Sequence, residues 1–261
     1  MNYYDQHLHT FLSFDSEERF ENYLVQQPAT FVATDHFDLK NPAHAFQDDI
    51  PDYEELLRQQ QKFINQPTTF LKGIEIGVVP GQESKIYDYL TTYPYDLQLV
   101  SIHQNGQFDY MDDIVLTKDK YTIMDEYFQQ MERVTEDFKA GHILTHFEYG
   151  LRRLDVTSHE LATRYEEQLT QIFKNIIAKN WGLELNAKSF AKYQNAQLYE
   201  YAVPLYQNLG GKLFTLGSDA HIASDFRNQF SQMGAMLKKF GVTELALFQN
   251  KEIKLVPLPE S

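Results

Sequence analysis

Short apolar runs alternate along this chain with longer segments of helical periodicity, and this alternation limits the fold more than any other feature. Each run tends to end in a polar or ionisable residue. The predicted strands are residues 3–5, 31–34, 70–76, 97–102, 142–145, 183–185 and 213–216. The predicted helices include residues 16–24, 52–64, 125–139, 158–180 and 197–209. Strands joined by crossover helices pair in parallel, and this number of repeats favours a closed or nearly closed α/β barrel over a small open sheet.

Two longer connections, residues 38–51 and 104–120, interrupt the alternation, and each follows a predicted strand end. The loops that follow the strands of such a barrel build its active site, so both connections are candidates to cover or shape a pocket. Ordinary surface insertion is the alternative interpretation, and the sequence alone leaves both open.

The composition is that of one domain that lacks cysteine chemistry. Of the 261 residues, 43% are hydrophobic, which is enough for one substantial core, so residues 1–261 are expected to form a single domain. Cysteine is absent, so a metal ion would have to be held by histidine, aspartate, glutamate and water. The sequence begins with neither a basic leader nor an apolar run, so we expect a cytoplasmic protein with no membrane partner.

The formal net charge of −14 argues against a nucleic-acid partner, because backbone phosphates are normally neutralised by clustered lysine and arginine. A small phosphorylated substrate stays compatible with this charge, since bound cations can invert the local sign of a site.

Six of the nine histidines lie at or just beyond the ends of predicted strands. These six are His7, His9, His36, His103, His146 and His221. Glu75 and Asp219 occupy similar positions, and strand ends converge on one rim when the strands close into a barrel. Imidazoles and carboxylates without sulfur suit Zn²⁺, Mn²⁺ or Fe²⁺. The supply exceeds the three or four protein ligands of one tetrahedral ion, so the sequence predicts a site for several metals.

These motifs, taken in order, resemble the polymerase-and-histidinol-phosphatase (PHP) superfamily. They are Asp5-x-His7-x-His9-Thr10, Asp35-His36, Gly73-x-Glu75, Ser101-x-His103, His146 and Ser218-Asp219-Ala220-His221. The chain is most similar to the monofunctional histidinol-phosphatase family, because residues 13–18 follow the first motif and His103 leads into an acidic loop.

The resemblance implies a distorted seven-stranded (β/α) barrel with two to three divalent cations at the C-terminal ends of its strands. The implied ligands are His7, His9, Glu75 and Asp219 for the first ion, Glu75 with His103 and His146 for the second, and Asp15, His36 and His221 for the third. Glu75, Asp219 and His221 are the implied catalytic residues. Asp15 stands where many relatives carry histidine, which favours a weaker third site or a harder cation. We prefer His146 to His142, which falls near a strand start.

The implied activity is hydrolysis of L-histidinol phosphate to L-histidinol and phosphate in histidine biosynthesis, with a hydroxide that bridges two metals as the nucleophile. Arg152, Arg153, Lys188 and Lys192 are candidates to bind substrate phosphate, although loop cations are more often solvated surface groups. Asp5, Asp35 and Glu148 are interpreted as carboxylates that orient imidazoles, or as caps and turn residues.

Other functions are compatible with parts of the pattern. A related enzyme could act on nucleotides or on phosphotyrosine protein, and a metal-binding or proofreading module would lack turnover. The nucleotide-acting relatives usually have Ser-Asp-Gly after the first motif, where this chain has Ser13-Phe14-Asp15. We expect a monomer or a small homo-oligomer.

Overall fold

Parallel strands arranged as a barrel form the centre of the molecule. The structure is a computed structural model that describes residues 3–249 and 252–259. Its barrel strands are β1 (Thr30–Ala33), β2 (His36–Asn41), β3 (Gln47–Asp49), β4 (Thr69–Gly77), β5 (Leu97–Ser101), β6 (Ile143–Leu144), β7 (Gly182–Asn186) and β8 (Phe214–Gly217). They lie in the order β3–β2–β4–β5–β6–β7–β8, with β1 paired to β4. Apart from the antiparallel hairpin of β2 and β3, these pairings are parallel.

Strands β1 and β2 act as one interrupted strand along the same edge of β4. Thr30 to Ala33 pair with the first half of β4, and His36 pairs with Glu75 in its second half. The interruption at residues 34–35 therefore sets His36 directly beside Glu75.

Residues 5–9 close the barrel between β8 and β1. Asp5 pairs with Leu216 and Leu8 with Ala220 as isolated parallel bridges, and the Thr34 amide donates to the Leu8 carbonyl at 2.9 Å. In the part of the chain that the structure describes, the closed barrel has seven strands, which are residues 5–9, the interrupted strand of β1 and β2, and β4 to β8; β3 pairs only with β2, as the second strand of its hairpin. This count confirms the predicted distorted seven-stranded barrel. The predicted strand at residues 3–5 forms no continuous ladder, because side chains replace backbone partners there. One example is the Asp5 carboxylate, which accepts from the Ser218 amide at 2.9 Å.

Helices cover the outside of the barrel, largely where periodicity predicts them. They are α1 (Phe20–Leu24), α2 (Tyr53–Lys62), α3 (Glu83–Thr92), α4 (Lys120–Asp137), α5 (Ser158–Glu160), α6 (Glu166–Ala178), α7 (Ala187–Ala191), α8 (Ala196–Asn208) and α9 (Phe230–Lys239), with a π-helical stretch at Leu161–Tyr165. Among the described residues, no helix combines the length and apolarity needed to cross a bilayer.

Local hydrogen bonds explain where helix boundaries differ from the prediction. α1 begins at Phe20 rather than residue 16, because Ser16 donates to the His221 carbonyl and the Glu18 carbonyl accepts from Phe11. α4 begins five residues earlier than predicted, because the Asp119 carboxylate caps it by accepting from the Thr122 amide.

A C-terminal hairpin that the sequence analysis does not predict seals the N-terminal end of the barrel. Its strands are β9 (Glu244–Gln249) and β10 (Glu252–Pro257), which pair antiparallel. Phe248 packs in a buried apolar cluster with Leu97 and Ile143, and the Gln6 side chain bonds to the backbone of Ala246 and Phe248. The opposite end of the barrel, where the parallel strands terminate, is the end at which the sequence analysis places the metal site.

Candidate metal centre

Imidazoles and carboxylates from distant parts of the chain meet at the C-terminal ends of the barrel strands. Glu75 lies at the centre of this cluster. Its Oε1 is 3.1 Å from His103 Nε2 and 2.8 Å from His146 Nε2. Its Oε2 is 3.3 Å from His7 Nε2 and 3.4 Å from His9 Nε2. The two oxygens of one carboxylate thus face two different pairs of histidines, which is the arrangement expected of a bridging ligand.

A third group of donors lies closer to the mouth of the barrel. Asp15 Oδ2 is 2.9 Å from His221 Nε2 and 3.6 Å from His36 Nε2. Asp219 connects this group to the inner one, since its Oδ1 is 3.4 Å from His9 Nε2 and 3.7 Å from His221 Nδ1. The structure therefore brings all nine predicted ligands into one continuous cluster; their role as ligands stays a prediction.

The donor atoms have the spacing of metal ligands. Two ligands that each lie about 2.1 Å from a tetrahedral ion are about 3.4 Å apart, close to the separations between Glu75 Oε2 and its two nearest imidazoles. Within the described residues, Glu75 Oε2 and His36 Nδ1 are buried without a hydrogen-bond partner, although they lie 3.0 Å apart. Unpaired buried polar atoms that face one another fit divalent cations coordinated by nitrogen and oxygen.

Electrostatics also favours a cation at this position. Burial by itself raises the pKa of Glu75, but the nearby imidazoles of His7, His103 and His36 outweigh it and hold the pKa well below its usual range. Burial lowers the pKa of His9 well below its ordinary value, and His221 and His36 add to this effect. The carboxylate is therefore ionised and the His9 ring neutral. Burial lowers the pKa of His7, His36 and His103, but the neighbouring carboxylates outweigh it and raise the pKa of His7 and His36 well above the ordinary value and that of His103 to about 10. Without a cation these rings hold protons that balance the buried carboxylates, and a bound cation would replace those protons.

Two carboxylates that sequence reasoning missed hold the inner imidazoles in place. The Nδ1–H of His7 donates to Glu184 Oε2 at 2.8 Å, and Nδ1 of His103 lies 3.1 Å from Asp38 Oδ1. In each ring this leaves Nε2 directed at Glu75, as a metal-binding histidine requires. For Glu184 a signal was present, because it is a carboxylate inside the apolar run of residues 183–185. Asp38 gave no comparable signal, since it falls in a predicted connection.

Neighbouring glycines make room for these carboxylates. A Cβ at position 217 would come within 2.5 Å of Glu184 Oε2 and 2.6 Å of His7 Cβ, and a Cβ at position 77 would overlap the Asp38 carboxylate. Any larger residue would have to displace the pair of carboxylate and imidazole.

We expect Glu184→Gln to lower metal affinity about 10- to 100-fold, because the neutral amide no longer raises the basicity of the His7 ring. Competition with a chromophoric chelator measures this affinity. Glu244→Gln, at an exposed position on β9, is the matched control and should bind metal like the unmodified protein. Equal metal affinities for both variants would show that Glu184 does not contribute to metal binding.

The three carboxylates that the sequence suggested as imidazole partners have other contacts. Asp35 contacts His9 only through Ser13. It accepts from Ser13 Oγ at 2.9 Å, and Ser13 Oγ lies 3.1 Å from His9 Nδ1. Asp5 accepts from backbone amides, including that of Ser218. Glu148 lies beside Arg152 and accepts from the Ser189 hydroxyl.

The four predicted phosphate-binding cations occupy different positions. Lys188 reaches the cluster, with Nζ 2.7 Å from Asp219 Oδ1 and 3.2 Å from His221 Nδ1. Lys188 and Lys192 both line a cavity of about 390 Å³ that Asp219 and His221 also border. Arg153 points toward the loop of residues 104–120, where it bonds Asp113 at 2.7 Å.

Arg152 is buried and its guanidinium lies beside the Asp219 carboxylate. Its Nη1 is 3.6 Å from Asp219 Oδ2, and its Nη2 donates to Asn186 Oδ1 at 2.9 Å and contacts Glu148 at 3.3 Å. With these partners the guanidinium is better placed to fix the Asp219 carboxylate than to meet a ligand from solvent.

The remaining histidines lie away from the cluster. His142 is at the opposite end of β6 from His146; its Nδ1 accepts from the Gln98 amide at 3.1 Å and its ring packs against Phe248. His159 is exposed, and His44 is about half exposed at the rim. The preference for His146 over His142 thus agrees with the geometry.

Both long connections border the metal centre. Residues 38–51 contain the β2–β3 hairpin that carries Asp38. In the loop of residues 104–120, burial raises the pKa of Asp109 to about 6, and this carboxyl accepts from the Tyr149 hydroxyl at 3.1 Å. The Tyr149 ring is 5.0 Å from the rings of His103 and His146. These contacts favour the active-site interpretation of the two connections over simple surface insertion.

Comparisons with known proteins agree with this geometry. Residues 5–188 match the family model described as the PHP domain. The chain is 27% identical over 256 residues to the histidinol-phosphatase of Lactococcus lactis, covering 95% of both chains. It is 26% identical over 240 residues to a Clostridium acetobutylicum protein named "Probable histidinol-phosphatase", covering 86% of this chain and 90% of the relative.

A solved structure shares the fold over almost the whole length. It is the crystal structure of histidinol phosphate phosphatase from Lactococcus lactis in complex with zinc, L-histidinol and phosphate. The TM-score is 0.83 at 26% identity, and the match covers 97% of this chain and 99% of the other.

Proposed function

We infer that this chain, which belongs to the PHP domain family, is a metal-dependent phosphomonoesterase that hydrolyses L-histidinol phosphate to L-histidinol and inorganic phosphate. The observation that carries this inference is the buried cluster around Glu75, found in a fold shared over nearly its full length with a histidinol phosphate phosphatase. As a biosynthetic enzyme it would work in the cytoplasm on a small phosphate ester, as a monomer or a small homo-oligomer, with residues 1–261 as one domain.

We propose the ligand sets that the family resemblance implies, and the distances between their donor atoms support them. They are His7, His9, Glu75 and Asp219 for one cation, Glu75, His103 and His146 for a second, and Asp15, His36 and His221 for a third. Zinc, as in the Lactococcus structure, is the first candidate, and manganese and iron suit the same donors. When bound, such cations lower the pKa of a water so that hydroxide is available as the nucleophile, and they offset charge on phosphoryl oxygens.

The chain's own residues would bind and orient the ester. Lys188 presents a partly exposed ammonium beside Asp219 and His221, where it can pair with a phosphoryl oxygen. Asp219 adopts a left-handed φ of 52°, a costly conformation for a residue with a side chain. Arg152 and Lys188 approach opposite oxygens of its carboxylate, which fixes the orientation of a residue that we propose as catalytic together with Glu75 and His221.

Burial around the mouth favours a small ester over a phosphotyrosine protein. His36 and His221 are only 11% and 21% exposed, so a substrate group must enter a recessed site. A short, flexible phosphomonoester reaches such a site more easily than a side chain on a folded surface.

A phosphate-release panel with metal-loaded protein tests the proposed function. We expect kcat/KM for L-histidinol phosphate to exceed that for 2-aminoethyl phosphate, a nucleoside monophosphate and a phosphotyrosine peptide by about 100-fold or more. The other three compounds lack groups of the correct substrate, so polar groups of the site that bind those groups are left without a partner. Equal rates on all four compounds would make the protein a general phosphatase. A preference for the nucleotide or the peptide would move it to another branch of the family.

A further inference from the structure

A row of aromatic rings leads from the buried metal centre to the rim of the barrel. The His9 and His36 rings are stacked 4.3 Å apart, and Phe14 follows 5.5 Å from His36. His44 completes the row, with its ring 5.5 Å from that of Phe14 and inclined by 14°. The first two rings belong to the proposed metal centre, and the proposed function gives no role to the outer two.

The outer two rings are open to solvent. Phe14 is 42% exposed, and the His44 side chain is 45% exposed. A phenylalanine fixed against a neighbouring ring but left half uncovered offers an apolar surface to a ligand.

A buried carboxylate fixes the orientation of His44. Its Nδ1 is 2.5 Å from Asp49 Oδ1, and the other oxygen of Asp49 accepts from Asn41 Nδ2 at 2.8 Å. A carboxylate oxygen at this distance favours the tautomer with the proton on Nδ1, and in that tautomer Nε2 is the acceptor atom. The ring thus has a defined face and a defined hydrogen-bonding edge.

The backbone that presents His44 is held in a costly conformation. Ala45 and Phe46, the next two residues, have left-handed φ angles of 52° and 59°. Non-glycine residues adopt this region at a cost, and such residues cluster at ligand-binding positions. The Phe46 amide donates to the Asn41 carbonyl at 2.7 Å and closes the turn.

We propose that Phe14 and His44 form the subsite for the imidazole ring of the substrate, an inference that rests on the proposed function. With the phosphoryl group at the metal centre, the short aliphatic chain of L-histidinol holds its ring several ångströms away, a distance at which Phe14 lies, since its ring is 5.5 Å from that of His36. Aromatic rings attract one another at centroid distances of about 4.5 to 7 Å. The exposed faces of Phe14 and His44 offer the substrate imidazole a surface on which it can pack at such a distance. His44 Nε2 can also accept the N–H of the substrate ring.

Steady-state kinetics of metal-loaded variants on two substrates tests the subsite. L-histidinol phosphate carries the ring, and 2-aminoethyl phosphate keeps the phosphoryl and ammonium groups without it. The variants are Phe14→Leu, which removes the aromatic surface, and His44→Phe, which keeps a ring without the acceptor. Phe46→Leu is the matched control, because Phe46 is also exposed and lies two residues from His44.

We expect Phe14→Leu and His44→Phe to raise KM for L-histidinol phosphate about tenfold, with little change in kcat. Their kinetics on 2-aminoethyl phosphate should equal those of the unmodified protein and of Phe46→Leu. Parallel losses on both substrates, or an unchanged KM for L-histidinol phosphate, would overturn the subsite. An unmodified protein that does not prefer L-histidinol phosphate would instead refute the proposed function, so the two failures are distinguishable.

Discussion

Glu75→Gln is expected to lose about 10³-fold or more in kcat and to bind less metal, the largest effect of any single substitution proposed for this chain. Both oxygens of Glu75 face imidazole nitrogens, so the side chain contributes to two groups of donors at once. Glutamine keeps the volume and can accept the hydrogen bond from Ser101 Oγ, but its amide nitrogen would face ring nitrogens where an anionic oxygen is required.

Metal content by elemental analysis and phosphate release from L-histidinol phosphate measure this effect in the same samples. Glu167→Gln, an exposed glutamate on α6, makes the same chemical change away from the cluster and should leave both quantities unaltered. A Glu75→Gln protein with full metal content and full turnover would show that the reaction takes place at a different centre.

Removing the metals with a chelator should abolish phosphate release and lower the melting temperature. A ligand present at about 1,000 times its dissociation constant stabilises the folded state by about 4 kcal/mol. For a chain of this size that corresponds to a fall of roughly 8 to 16 °C on removal. Without cations, the buried imidazoles and carboxylates of the cluster have only protons and one another to balance their charges.

Calorimetry before and after dialysis against the chelator measures the shift, and readdition of zinc, manganese or iron should restore activity to different extents. The control is the same chelator saturated with zinc, which separates metal removal from direct effects of the chelator. Turnover that persists after elemental analysis has shown complete removal would contradict the proposed mechanism.

Local pattern was sufficient to predict the barrel and the donors at its rim. The apolar runs and the intervening helical periodicity are local properties, and the parallel-strand rule converts them into a common end where residues such as His36, His103 and Asp219 must meet. The prediction was weaker where hydrogen bonds to other parts of the chain override local propensity. Residues 3–5 form bridges rather than a ladder, and residues 16–19 stay outside α1, for this reason.

Neither the C-terminal hairpin nor the pairing of carboxylates with the inner imidazoles could be predicted from the sequence. Glu184 and His7 are 177 residues apart, and nothing near either residue specifies the other. Asp38 and His103 meet only because β2 and β5 flank the same strand. Such pairs depend on register and rotamer, which a single sequence does not display.

The sequence by itself determined the chemistry available to this protein: nitrogen and oxygen donors without sulfur, placed at the ends of strands that must run parallel. Only the tertiary structure decided which oxygen of Glu75 faces which histidines, that Lys188 enters the centre while Arg153 turns away, and that Phe14 and His44 line its rim. The physical reason is the distance along the chain over which each kind of information acts. Periodicity and residue type act over a few neighbouring positions, whereas distances of about 3 Å between side chains are set by the packing of the whole barrel.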